Sequence, residues 1–397
     1  MLLGKLMKTA VFFFFALTFS LAATGKTSAL WGQHGELWKK DRLPDFTTAG
    51  YKGGKVELPD FKKTIDVKKL GAIGDGKADD TKFFEKAIRK CSGHAAIFVP
   101  NGTYLIATPL LVKTSHCALV GEDEGKTKIF FPKGLEEIQP KFDGEHTTWS
   151  WEGGMITFFG NGLGIQNLTI QFPDNVWEGH NFHERGYNGI GFQETTDGWL
   201  KNVTITGADL GLWISRKSSH ITIDHLTLNF GPKRNEQTLM GHHGLNVYGG
   251  HNLISNFEIA GQFKHDLSVE SKFSIYNVFM KGKAKDLSID HHSQDYNQKY
   301  NLWTEIDAGQ GSRLYHSGGK NVPRGVSFNE TYWNIKSQIP VPWVTSMGIS
   351  RNNNAVGLNA SGIEAMVDQY NNWFELISPA DIEPKNIYTA QMNYAHN

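Results

Sequence analysis

Asp266-Leu-Ser-Val-Glu270 and Asp286-Leu-Ser-Ile-Asp290 write one pattern twice: acid, hydrophobe, hydroxyl, hydrophobe, acid, about twenty residues apart. In an extended strand the alternation sends Leu267, Val269, Leu287 and Ile289 to one face and Asp266, Ser268, Glu270, Asp286, Ser288 and Asp290 to the other. Aligned motif to motif on neighbouring strands, Asp266 stands beside Asp286 and Glu270 beside Asp290. Like charges so opposed weaken a sheet unless a cation sits between them, a base pairs with them, or one holds a proton. A merely solvated face would not also gather histidines, yet His242, His243, His265, His291 and His292 fall in or beside the same strands. Lys264, Lys285 and Arg313 add positive charge. His243 and His265 share the parity of the inward Leu245 and Leu267, so they reach the acids only if the strand start bends outward.

This set could do two kinds of chemistry. In β-elimination on a uronic acid polymer, the substrate carboxylate must be neutralised, a base takes the C5 proton, and an acid assists the leaving oxygen. Arg313, Lys285 and the histidines could neutralise or abstract, and Glu270 with Asp290 could hold Ca²⁺, the one cofactor the acids suggest. In hydrolysis two carboxyls flank the bond; Asp266 and Asp286 one coil apart, at about 5 Å, would suit a retaining pair, and a diagonal would leave room for water. The catalytic candidates are therefore His243, His265, Asp266, Asp286, Asp290, His291 and Arg313. Sugar rings pack their C–H faces on aromatics, which makes Trp177, Trp213 and Tyr315, with Lys264 and Lys285, the substrate-binding candidates; Trp149 and Trp151 lie in a polar insertion nearby. No Cys/His spacing resembles a zinc site.

The elements that position these residues are repeats. NGIGF, LGLWI, HGLNV, HDLSV and KDLSI begin at Asn188, Leu210, His243, His265 and Lys285, with SRLYH at Ser312 as a weaker copy. A second register follows each: QNLTI, KNVTI, DHLTL, SNFEI, YNVFM, YNLWT, whose polar column is Asn167, Asn202, His225, Asn256, Asn277 and Asn301. Such periods mark a solenoid whose single coils cannot bury their apolar faces alone. The asparagine column reads as structural, its side chains bonding along the axis.

Upstream, IDVKKLGAIGDGKADDTKFFEKAIRKC contains a short strand, a Gly-Asp-Gly turn at 74–76, and a helix over Thr81–Lys90 capped by Asp79 or Asp80; AAIFVP and TYLIATPLLV are strands. The acids at 75, 79 and 80 read as turn and cap residues rather than a metal loop. This opening resembles that of the pectate-lyase-like superfamily of right-handed parallel β-helices. With the repeats, the resemblance covers roughly residues 62–335. It implies an all-β fold, a single right-handed parallel β-helix with an N-terminal capping helix, and leaves the reaction open among lyases, hydrolases, epimerases and tailspikes. The stretch DHHSQDYNQKYNLWTEIDAGQGSRLYHSGG also resembles bacterial β-helix proteins described loosely as lyase-like, which draws attention to Asp290, His291, Asp307 and Arg313 without assigning roles.

The chain has 397 residues, with Lys+Arg and Asp+Glu both at 40, so no global field points to nucleic acid. Two lysines, an apolar run over Thr9–Ala23 and then small residues have the layout of a secretory signal peptide, cut between about 23 and 29. The expected organisation is a signal peptide at 1–29, an irregular lead-in at 30–60, the β-helix at 61–345, and a tail at 346–397 with a short helix near NIYTAQMNY. Cys91 and Cys117 are the only cysteines; export allows a disulfide, and two buried thiols fit equally. The reading is a secreted or periplasmic polysaccharide-degrading enzyme with no membrane contact after signal removal. By analogy of fold it is a lyase on a uronic-acid-containing glycan, with a glycoside hydrolase and a non-catalytic glycan-binding β-helix as alternatives.

Overall fold

The computed structural model describes residues 25–141, 144, 146–177, 184–231, 233, 239–291, 299–315, 327–343 and 350–395. The apolar run of the expected signal peptide and His292 lie outside them. Among the described residues no helix is long and apolar enough to cross a membrane.

Short strands recur through the chain, and each pairs in parallel with its equivalents on the coils before and after. The result is a parallel β-helix. One sheet holds seven strands in chain order, Leu110–Lys113, Ile156–Asn161, Asn188–Thr196, Leu210–Ile214, His243–Val247, His265–Ser268 and Ile289–Asp290; the candidate site stands on it. The other faces carry a longer ladder in which Ile165, Leu200, Ile223, Ile254, Phe279, Trp303, Tyr332, Ala355 and Phe374 follow one another coil by coil. All nine are buried. The alternating pattern of the repeats is thus used literally, one side chain in two entering a continuous core, each large one contributing roughly 1.5–3 kcal/mol by burial. Phe279 stacks on Trp303 at 4.1 Å between ring centroids. Tyr315 packs edge-on against Tyr332 and Trp343 at 5.2 and 5.3 Å. It is therefore a core residue, not a substrate-binding one: burial pushes its hydroxyl pKa well above the usual range, and no sugar can reach it.

The helix Thr81–Lys90 forms over the expected residues and buries Phe84 and Ala87 over the first coil, although Asp80 at its N-cap position makes no side-chain cap bond. Asp79 accepts from the Thr81 N–H and hydroxyl, at 3.0 and 2.5 Å, Asp80 from the N–H groups of Ile73 and Gly74, and Asp75 from those of Lys77 and Ala78. Every acid of the turn is committed to backbone. Cys91 and Cys117 form a disulfide that ties the end of this helix to the next coil.

The solenoid continues past residue 345, because Asn354–Leu358 and Trp373–Glu375 extend the long ladder. The final helix, Ile387–Ala395, packs Ile387 and Tyr388 against Leu43, Phe46 and Ala49 of the lead-in, over Val278, Leu302, Trp333 and Val356. The lead-in therefore has the job of covering the outer side of one sheet.

The single asparagine column read from sequence is two columns. Asn167, Asn202, His225 and Asn256 share a left-handed backbone corner with φ of 51–57°, a conformation asparagine tolerates better than most residues. Asn277 and Asn301 belong instead to a buried ladder with Asn252 that lies just before the strands. Asn252 donates to Asn277 at 2.8 Å, Asn277 to Asn301 at 3.1 Å, and Asn301 to Glu330 at 2.9 Å. The motif YNV looks like KNV but enters its strand earlier, so matching letters put two different corners into one column.

Candidate active site

The two acid motifs lie on neighbouring coils, but not motif to motif. Leu267 pairs with Ile289 and Ser268 with Asp290. The coil advance is 289 − 267 = 22 residues, whereas the motifs repeat at 20, so the alignment slips by two. A slip of two keeps every side chain on its own face and changes its neighbour. Asp266 is thereby removed from Asp286. Its carboxylate is buried and accepts from the N–H of Phe263 and the N–H and hydroxyl of Ser288 at 2.7, 2.8 and 3.0 Å. It also pairs with Arg313 at 2.7 Å. Asp286, likewise buried, accepts from the N–H and hydroxyl of Ser312 at 2.9 and 2.5 Å. The opposed carboxylate pair expected for hydrolysis is absent among the described residues. Asp266, Asp286 and Arg313 instead tie three coils together. His291 shares the inward parity of Ile289 and points away from this side: fully buried, its Nε2 lies 3.5 Å from Glu330 of the asparagine ladder.

Three other histidines converge. The ring centroids of His242, His243 and His265 lie 4.4, 4.9 and 5.5 Å apart, and all three are buried. His243 and His265 face acids despite their parity. Nδ1 of His243 shares a hydrogen bond with the Ser150 carbonyl at 3.2 Å, and carboxylate oxygens lie at ion-pair distance from the other two, Glu184 at 3.1 Å from Nδ1 of His242 and Asp290 at 2.7 Å from Nδ1 of His265. Burial raises the pKa of Glu184, offset in part by the hydroxyl of Ser150. Glu270 and Asp290, expected as a pair of Ca²⁺ ligands, are separated by the same two-residue slip, and each faces a histidine.

The roof over these strands is the insertion around Trp149 and Trp151. Asn188 donates to the carbonyls of Trp149 and Glu152 at 2.7 and 2.8 Å, and Asn246 to that of Trp151 at 2.9 Å. Asn246 occupies the outward column Thr157–Gly191–Trp213–Asn246–Ser268–Asp290, so the sheet face itself holds the insertion down.

Beside the roof an open cleft of about 360 Å³ is lined by Glu152, Gln193, Glu194, Trp213, Arg216, Lys217, Tyr248 and Glu270, among others. Gln193, Ser215, Tyr248 and Glu270 each follow the last residue of a five-residue repeat, so the column was present in the sequence one position beyond where the repeats were read. Glu270 joins the cleft to the histidines: one oxygen is 3.2 Å from Nε2 of His243 and the other accepts from the Tyr248 hydroxyl at 3.4 Å. Burial and the Glu270 charge hold Tyr248 well above the usual phenol range, hence protonated. Of the expected substrate-binding residues, Trp213 lines the cleft. Trp177 lies against the histidines, 6.2 Å from the His242 ring, and neither Lys264 nor Lys285 is among the lining residues. Sequence reasoning missed Glu184 and Ser150 altogether, because they arrive from insertions with no repeat signal.

Residues 64–256 match a family model described as rhamnogalacturonase A/epimerase, pectate lyase-like. The match takes in Glu152, Trp213, Tyr248, His242 and His243 and ends before His265, Glu270 and Asp290. A curated relative, a probable rhamnogalacturonase C from Aspergillus flavus, is 39% identical over 82 residues, 19% of this chain. The aligned stretch spans 17% of that relative's length. Among solved structures, an exopolygalacturonase from Thermotoga maritima has 12% identity over 80% of this chain and 89% of its own, with a TM-score of 0.47. The surface adhesin PfbA of Streptococcus pneumoniae has 14% identity over 74% and 78%, with a TM-score of 0.41. The family match takes in just under half of the chain, and the coils it covers build a parallel β-helix similar to that of the pectate-lyase-like proteins.

Proposed function

We propose that the protein is an exported glycan-cleaving enzyme that acts on a uronic-acid-containing polysaccharide in the Trp213 cleft, by β-elimination. The observation that carries this reading is the meeting of two cations, Arg216 and Lys217, with the protonated Tyr248 and the carboxylate of Glu270 in one open cleft. Trp213 offers an apolar surface to a sugar ring. The cations suit the substrate carboxylate, whose neutralisation acidifies C5–H. Glu270, oriented by His243, takes that proton; the electron pair forms the C4–C5 double bond as the C4–O4 bond breaks, and Tyr248 gives its proton to the departing oxygen. The lysine-flanked apolar run at the N-terminus supports export.

Hydrolysis is the second reading. It is favoured by the family model and by three carboxylates, Glu152, Glu194 and Glu270, along the same cleft. The two separate by product. Incubated with a panel of uronate and neutral polysaccharides, the purified protein should generate new ultraviolet absorbance from the conjugated double bond. Reducing ends without a chromophore would replace elimination by hydrolysis. No cleavage of any uronate polymer by folded protein would overturn the assignment.

A further inference from the structure

From the histidine cluster we infer that this β-helix carries a buried site for a divalent transition metal of the zinc class, built by His242, His243 and His265. Ligand atoms of the three lie within 4.8 Å of one another. Ligands on a tetrahedral ion with metal–nitrogen distances near 2.0–2.1 Å sit about 3.3 Å apart, so the set has at most about 1.5 Å to close around an ion. The donor set is all imidazole, which suits zinc, cobalt, nickel or copper and not calcium or magnesium.

The surroundings of the rings are the stronger argument. A ligating histidine donates its other ring N–H to a carboxylate or carbonyl, which fixes the tautomer and aims the free nitrogen at the metal. His243 has that arrangement through the Ser150 carbonyl, and on the other two rings a carboxylate oxygen lies within ion-pair distance of the same atom. Nδ1 of His242 faces Glu184, Nδ1 of His243 faces the Ser150 carbonyl, and Nδ1 of His265 faces Asp290. Three oxygens drawn from two insertions and a neighbouring coil thus border the Nδ1 side of the cluster. An ordinary buried histidine needs one partner; three rings packed together, each with an oxygen against the same nitrogen, make a convergent set. Two buried carboxylates beside them, Glu184 and Asp290, supply the negative charge that a cation requires. The fourth side faces Glu270, 3.2 Å from Nε2 of His243, and through it the cleft. The spacing gave no zinc motif because two ligands are adjacent in sequence and the third arrives one coil later.

This inference shares His243 and Glu270 with the cleavage reading but does not rest on it, and its test reads metal rather than activity. The full chain, stripped with a chelator and checked for its β-rich circular dichroism, is titrated with Co²⁺ and with Zn²⁺. The expected result is one Co²⁺ per chain with visible d–d absorption, displaced by Zn²⁺. His265→Ala and His243→Ala should abolish the absorption, Asp290→Asn should weaken binding roughly 10–100-fold, and His225→Ala, at an exposed histidine, should leave it unchanged. Should a histidine variant fail to fold, Asp290→Asn and the wild-type stoichiometry decide. Folded wild type without stoichiometric Co²⁺ or Zn²⁺ binding, or Asp290→Asn indistinguishable from it, would overturn the site.

Discussion

Two groups of buried polar side chains run along this solenoid, and they are built on opposite plans. The ladder Asn252–Asn277–Asn301 repeats one residue type on successive coils, and each member spends its amide on its neighbours: Asn277 accepts from Asn252 at 2.8 Å and donates to Asn301 at 3.1 Å and to the Gly249 carbonyl at 3.0 Å. Nothing is left to face a ligand. The group His242–His243–His265 does not repeat. It collects Glu184, Ser150, Asp290 and Glu270 from insertions and strands, and one edge of it, through Glu270 and Tyr248, opens on the cleft. A periodic polar column satisfies the coil; an aperiodic one that converges is arranged around something else. Burial alone separates nothing here, since both groups are buried.

The largest expected effect tests the cleft edge. Tyr248→Phe removes the proposed acid and one long hydrogen bond, so kcat on the cleaved polymer should fall by at least about a hundredfold, with the melting temperature nearly unchanged. Full activity would move the chemistry elsewhere in the cleft. Asp266→Asn should do the reverse. It leaves Arg313 without its charge partner and weakens the bonds from Phe263 and Ser288, and breaking a buried pair costs roughly 3 kcal/mol or more. Unfolding by urea should show that loss with kcat of the folded protein kept; a melting temperature unchanged or raised would restore the opposed-acid arrangement that the alignment of motifs suggested. Asn277→Ala should cost about 1–3 kcal/mol, from the amide groups of Asn252 and Asn301 left unpaired, again without effect on kcat. A neutral result would mean that the ladder is not a stabilising column.

The smallest effect is a pH dependence. Burial raises the folded-state pKa of Glu184 above its usual 4.5. The folded state then holds its proton longer than the unfolded chain, so stability from this group is present at low pH and declines as pH rises from about 4.5 through the raised value. Melting temperatures across that window should decline less in Glu184→Gln than in the wild type. Parallel curves would show that Glu184 titrates normally.

How much of this was legible can be judged residue by residue. The helix Thr81–Lys90, the coil repeats and the concentration of acids and histidines around 242–291 could be read because each rests on local pattern: a turn, an alternation, a column of like residues. Trp213 in the cleft followed from the same alternation. Tyr315 did not, because a single aromatic in a weak repeat carries no information about which way its loop turns.

What the sequence by itself determined is the two-residue period, and with it which face each strand residue takes. The coil advance of 22 rather than 20 was decided only in three dimensions, by how Leu267 and Ile289 meet in the core. A pattern with period two is unchanged by a shift of two, so facing survived the slip while neighbours did not. That shift moved Asp266 and Asp286 apart and gave them Arg313 and Ser312. The tertiary structure alone also brought Glu184 and Ser150 onto the histidines, since residues separated by tens of positions meet only when the coils stack and the insertions fold back over them.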